Sequence, residues 1–210
     1  MQLLEHVKRS FETVIGCTKP SSRDLSVTTR RREPSTFRFK DDGVIPNNCR
    51  LPVIFYRTPL RLGGAPDPAS MIEELFESNG WGECWRNGIY DFVHYHSQTH
   101  EVLGIARGRG RIRIGGDRGR VLKIKPGDVI ILPAGTGHQC LQSSNLLVVG
   151  AYPPPGIYDE CRGTANERNG ALVSVTNVPV PDNDPVYGRD GPLPRLWKNA
   201  SRVSHRAAAA

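Results

Sequence analysis

Two glycine-framed segments in the middle of this chain hold four potential metal ligands at fixed spacings, and they constrain the fold more than any other feature. The first runs from Gly88 to Gly108 as GIYDFVHYHSQTHEVLGIARG, that is Gly-x5-His-x-His-x4-Glu-x6-Gly. The second begins at Gly127 as GDVIILPAGTGHQCLQ, that is Gly-x5-Pro-x-Gly-x2-His-x3-Gln. His94 and His96 are two residues apart, so on a strand they leave from one face. Glu101 follows a four-residue break, and His138 follows a Pro-Ala-Gly turn after an apolar run. Three imidazoles and one carboxylate converging on a point make a site for a divalent first-row transition metal. The expected architecture is a small metal-binding β-barrel.

These residues resemble the two signature motifs of the cupin superfamily. The first motif matches at Gly88, His94, His96, Glu101 and Gly108; the second matches at Gly127, Pro133, Gly135 and His138 and departs at Gln142, where Asn is usual. That position is not a metal ligand in the family, so the departure bears on local hydrogen bonding only. From about Phe39 to Trp197 the text is similar to bacterial single-domain cupins (monocupins). The resemblance implies an all-β fold, a double-stranded β-helix or jelly-roll barrel of the RmlC-like type, with one short flanking helix. It implies one divalent metal (Fe, Mn, Ni, Zn, Co or Cu) on His94, His96, Glu101 and His138. It implies little about the reaction, because this scaffold hosts many unrelated activities.

Charge and cysteine usage narrow the class further. The chain of 210 residues has net charge +7 and pI ≈ 9.4, yet residues 1–40 carry +5 and residues 195–210 carry +4, which leaves −2 for residues 41–194. A basic face on the folded domain is therefore not expected, and neither is a nucleic-acid partner. The five cysteines are odd in number, widely spaced and free of Cys-x-x-Cys, the usage of a reduced cytoplasmic protein. No apolar run approaches the ~20 residues that span a membrane, and the start has no secretory pattern. The expected partners are a small-molecule ligand and a second copy of the chain, as a homodimer.

Residues 1–36 read as a basic extension: Leu3, Leu4, Val7, Phe11, Val14 and Ile15 fall at helical spacing ahead of a Ser/Thr/Arg-rich linker. The domain is expected over 37–197 and a disordered tail over 198–210. Thr36–Lys40 and Val53–Tyr56 read as β-rich pieces. After Pro66, Asp67 can cap a helix with Pro68 in its first turn, or Ser70-x-x-Glu73 can form a capping box. Its apolar face would be Met71, Ile72, Leu75 and Phe76, with Asn79-Gly80 as its end. Tyr90–Tyr152 alternates short strands with Gly/Pro turns, and beyond Pro153 the chain reads as irregular, with one strand near Leu172–Val178.

Around the four expected ligands, His100 is a weak catalytic candidate: next to Glu101 it should face away from it on a regular strand, with a supporting or proton-transfer role or, alternatively, an exposed loop position. Strand parity puts Phe92 with His94, Leu103 with Glu101, and Cys140 and Gln142 with His138, where they either line the pocket or serve as plain core residues. Arg109, Arg111 and Arg113 alternate with Gly110, Ile112 and Ile114. Isoleucine is the better core residue, so the arginines are expected in solvent; the opposite register would make them an anion pocket. The expected function is a metal-dependent enzyme of dioxygenase, isomerase or lyase type acting on a small polar metabolite. The alternative is a non-catalytic small-molecule or metal-binding module.

Overall fold

Val53–Tyr56 and Val129–Leu132 are apolar at every position, and both are buried from end to end. A strand reads this way only when both of its faces are covered. The computed structural model of the chain describes residues 29–208 and shows what covers them. The helical stripe Leu3–Ile15, Cys17 and the last two alanines lie outside the described residues.

The strands are β1 (Ser35–Phe37), β2 (Val53–Tyr56), β3 (Gly82–Asn87), β4 (Glu101–Ile114), β5 (Arg120–Ile124), β6 (Val129–Leu132) and β7 (His138–Tyr152). All pairings are antiparallel, in the order β1-β2-β6-β4-β7-β3, with β5 on the far half of β4. Successive side chains go to opposite faces. Val53, Phe55, Leu103, Ile105, Ile130, Leu132 and Val148 fill the barrel interior with Ile112, Ile114, Leu122 and Ile124. Their neighbours Ile54, Tyr56, Val102, Val129, Ile131, Val149 and Ala151 face outward into a second core beneath the helices.

Helix α1 (Pro68–Ser78) forms as its sequence signals. The Asp67 carboxylate accepts from the backbone N–H groups of Ala69 (3.1 Å) and Ser70 (3.3 Å), and Asn79 closes the helix. Glu73 takes no part in capping; it holds Arg86 with two bonds of 2.7 Å. Ile72, Leu75 and Phe76 are buried against β4 and β7, each contributing about 1.5–3 kcal/mol relative to exposure. Gly104 permits this contact, since a Cβ there would lie 2.7 Å from the Ile72 side chain.

The C-terminal third differs from its sequence reading. Ala165–Asn177 is a helix, α2, and not a strand at Leu172–Val178. The β-branched run suggested extended chain, but Thr164 and Glu167 form a reciprocal capping box at the start of the segment. The residues it buries, Ala171 and Val175, are four apart, at helical spacing. A third helix, α3 (Pro192–Ala208), buries Leu193, Trp197 and Ala200 in the outer core. The barrel therefore has three flanking helices among the described residues, where the sequence suggested one. Between α2 and α3, Asp184 is buried and accepts from Tyr56 Oη (2.5 Å) and from the amides of Val186, Tyr187 and Leu193. At the other end Arg30 reaches the barrel, with its Nε 2.6 Å from the Thr58 carbonyl and an Nη 2.7 Å from the Thr58 hydroxyl.

β4 and β7 are long, continuous strands of 14 and 15 residues, where short strands were expected. Their pairing shifts register three times, which is how one ladder bends around a barrel. Ile112 and Ile114 point inward, and Arg109 and Arg111 are exposed, as expected.

Candidate metal centre

His94 and His138 come together through the backbone. The His94 amide donates to the His138 carbonyl (3.1 Å), and the His138 amide donates to the His94 carbonyl (2.9 Å). Tyr95 makes the corresponding pair with Cys161, so His94 and His96 project from one face. The turn Pro133–Gly137 delivers His138: Gly135 adopts φ +84°, and its amide donates to the His96 carbonyl (2.7 Å). A non-glycine residue would be strained in that conformation. Glu101 opens β4 opposite Leu132.

The potential ligand atoms of His94, His96 and His138 lie within 4.8 Å of one another, and all three residues are buried. Glu101 Oε2 lies 3.5 Å from His96 Nε2 and 3.3 Å from His138 Nε2. Each ring also turns Nδ1 toward a backbone carbonyl: Phe92 for His94 (3.3 Å), Thr136 for His138 (3.2 Å) and Asp159 for His96. A carbonyl can only accept, so each Nδ1 carries a proton and Nε2 is the nitrogen that can offer a lone pair to a metal once it is deprotonated. Three imidazoles are thus set in the tautomer that a metal requires.

Electrostatics agree with this reading. Burial, with some repulsion from His138, holds the His94 pKa down at about 3. Burial also pulls on His96, but the charge of Glu101 and the contacts with Glu101 and Asp159 outweigh it and raise that ring to about 9. Burial works against the Glu101 carboxylate, yet attraction to His96 and His138 keeps its pKa below the ordinary value. Its Oε2 is buried and faces only the Nε2 atoms of His138 and His96, at 3.3 and 3.5 Å, with no well-formed hydrogen bond from the rest of the chain. An orphaned buried carboxylate oxygen is costly, and a cation between it and the imidazoles removes that cost. The donor set and the orphaned oxygen both fit a divalent metal.

The cluster opens on a cavity of ≈ 340 Å³. Leu103 lines it, as parity suggested. Phe92, Cys140 and Gln142 are not among its lining residues. Phe92 stacks on Tyr90 (4.8 Å between ring centroids) beneath the Arg162 guanidinium. Parity fails for Gln142 because β7 slips by one residue between Cys140 and Gln142, which pair with the consecutive residues Ile112 and Arg111. Cys140 stays buried, whereas Leu141 and Gln142 are exposed. His100 is fully buried, not an exposed loop residue. Its Nδ1 accepts from the Ala134 amide (2.9 Å), its ring packs on Trp197 at 4.6 Å, and burial pushes its pKa down to about 3. It lies outside the cavity lining.

Sequence reasoning missed the strap that follows β7. Tyr152, Tyr158 and Glu160 line the cavity. Tyr152 and Tyr158 stack at 5.4 Å with rings 8° apart, and both make edge contacts with His96. Trp85 Nε1 donates to Tyr152 Oη (3.0 Å). The Asp159 carboxylate accepts from the Ser97 amide (2.8 Å), the Ser97 hydroxyl (2.6 Å) and the Gln98 amide (3.1 Å). It thereby ties the strap to the loop between His96 and Glu101. No local spacing signal marks these residues, because they reach the site only through the closure of the barrel.

Comparison with known proteins agrees with the geometry. The cupin domain model matches residues 87–147, which span the first motif and His138. Over 167 residues, 79% of this chain and 98% of the relative, the sequence is 38% identical to the uncharacterized protein YjlB of Bacillus subtilis (strain 168). The chain belongs to the cupin superfamily. Among solved structures, this cupin resembles acireductone dioxygenase from Bacillus anthracis, with a cadmium ion in its active centre: 18% identity, 42% of this chain and 61% of that one, TM-score 0.31. It also resembles an oxalate decarboxylase of Bacillus subtilis: 16% identity, 53% of this chain and 28% of that one, TM-score 0.32. The chain spans less than two thirds of either structure, and overlaps this partial carry nothing about reaction. Among the described residues no helix is long and apolar enough to cross a membrane.

Proposed function

We propose that this cupin is a metal-dependent enzyme acting on a small polar metabolite, with His94, His96, Glu101 and His138 holding one divalent transition metal. The observation that carries the proposal is the placement of the cluster: it lines a cavity of small-molecule size and is not sealed in the core. Structural metal sites are closed, whereas catalytic ones keep a position open to the ligand. When bound, the metal supplies a Lewis acid that polarises a substrate oxygen.

The chain's own groups constrain the substrate. Burial raises the Tyr152 pKa, so this phenol stays protonated and presents a hydroxyl beside Glu101. Tyr152 and Tyr158 give the cavity an aromatic wall. Arg86 lines it, but Glu73 and Asp67 already engage that guanidinium. Glu83 and Glu160 add carboxylates to the wall, Glu160 with Arg162 donating to it at 2.9 and 3.1 Å. This balance favours a neutral, hydroxyl- or carbonyl-bearing substrate over an organic anion. Dioxygenase, isomerase and lyase chemistry all suit such a site. We also take the protein as a cytoplasmic homodimer; the four described cysteines, all free, support a reducing compartment.

The test is metal analysis of protein purified without chelator, followed by a screen of neutral polar metabolites for turnover and oxygen uptake. Turnover that disappears on metal removal and returns on its addition supports the enzyme. Saturable binding of such a metabolite without any conversion would instead identify a non-catalytic binding module.

A further inference from the structure

A second cavity of ≈ 500 Å³ shares no lining residue with the metal pocket. Arg57, Arg109, Arg111, Lys123 and Lys125 line it, and no carboxylate does. Residues 41–194 carry a net charge of −2, so five cations around one hollow are not a sample of the general surface.

Strand register explains how they gather. Arg111 on β4 lies directly opposite Lys123 on β5, and Gly110 lies opposite Ile124. Arg109 lies two residues from Arg111 on β4, so on a regular strand it points to the same side, and Lys125 follows directly after the end of β5. Arg111 and Lys123 are therefore roughly 5 Å apart across the strands, with Arg109 roughly 7 Å along β4. On the other side of β4, Ser144 pairs with Arg109 and Gln142 with Arg111, and both line the cavity with Ser143. The slip at Leu141 that turns Gln142 away from the metal pocket turns it toward this one.

Like charges directly opposite on neighbouring strands destabilise a sheet. Among the described residues Arg109, Arg111, Lys123 and Lys125 form no ion pair, while nearby Arg113 does, with Asp117; the buried Asp128 carboxylate acts on the Lys125 ammonium by charge alone. Arg57 is the fifth cation, fixed over the Phe55 ring at 4.4 Å and donating to the Lys123 carbonyl (2.7 Å). Its partner Asp128 is buried and already accepts from the Thr58 and Lys125 amides. An anion with several oxygens would offset the repulsion, and arginine forks, lysine ammoniums, hydroxyls and an amide are the donors that hold phosphate.

We propose that this groove is a second ligand site, for a small molecule carrying two or more phosphate groups. The spacing of the cations exceeds what one phosphate spans, and the cavity volume is that of a small-molecule site and not of an extended polymer track. The site stands or falls independently of the metal reading.

Calorimetric titration of the full-length, metal-containing protein with ADP and with inorganic phosphate tests the proposal. ADP should bind saturably and more tightly than inorganic phosphate. Arg109→Gln with Arg111→Gln should weaken ADP by about tenfold or more, the loss of one or two charged hydrogen bonds. Lys123→Gln with Lys125→Gln should do the same by an independent route. Neither pair should alter metal content, and His94→Ala should leave ADP binding unchanged. The proposal is overturned if ADP fails to saturate, if inorganic phosphate binds as tightly, or if His94→Ala abolishes binding while both charge pairs retain it. Displacement of ADP by a short DNA duplex at lower concentration would also overturn it, by making the groove a polymer surface.

Discussion

His94 and His138 are joined by two backbone hydrogen bonds, of 3.1 and 2.9 Å, so the ligands of two motifs far apart in sequence are set by main chain as well as by side-chain packing. A histidine-to-alanine change at either position leaves that bridge in place. Loss of metal and loss of fold are therefore separable in this protein, and the predictions rely on it.

Asp159 holds the strap over the centre through three bonds to Ser97 and Gln98, and its own carbonyl faces His96 Nδ1. Asp159→Ala should release the strap and loosen the ring it orients. Metal affinity should fall by about 10–100-fold, as for other groups that orient a ligand, with the melting temperature of metal-free protein little changed. Competition with a chromogenic chelator reads the affinity, and an affinity equal to wild type would show that the strap does not orient His96.

Metal and protons compete for His96. In the metal-free protein this ring is raised to about 9, so it is charged at neutral pH, whereas His94, at about 3, is already neutral. Coordination requires the neutral form. Metal binding at pH 7.5 should thus expel about one proton from His96, and apparent affinity should rise up to about tenfold per pH unit until pH approaches 9. Calorimetry in buffers of different ionisation enthalpy counts the proton. No release, with affinity flat from pH 7 to 9, would contradict ligation by His96.

The domain boundary makes a third prediction. Arg30 bonds Thr58 and β1 begins at Ser35, so removal of residues 1–28 should leave metal content and melting temperature unchanged. Removal of residues 1–36 deletes the Arg30 contacts and most of β1. That should cost about 1–3 kcal/mol, or roughly 2–10 °C in melting temperature, without loss of metal. Equal melting curves for the two truncations would support a dispensable extension reaching to residue 36.

What was legible in the sequence was local. The four proposed ligands sit within short motifs whose spacing survives folding, and α1 announced itself through Asp67, Pro68 and Asn79-Gly80. Parity groups Leu103 with Glu101, and both line one cavity, but it does not carry over to Gln142, because a one-residue slip in β7 is invisible without its partner strand. The β-branched run in α2 resembled a strand until the Thr164 and Glu167 cap decided its conformation. Adjacency to Glu101 predicted that His100 faces away from it, and His100 does turn to Trp197, but its complete burial was not legible in the sequence. Tyr152, Tyr158 and Asp159 reach the centre through tertiary closure alone.

Elemental analysis of protein purified without chelator shows whether His94, His96, Glu101 and His138 hold a metal. The wild type should carry close to one divalent transition metal per chain, and Glu101→Ala should lower occupancy strongly. The double variant His94→Ala, His138→Ala should carry none while keeping the wild-type β-sheet circular dichroism spectrum. Equal metal in the wild type and a folded double variant would contradict the assignment of His94, His96, Glu101 and His138 as the metal centre.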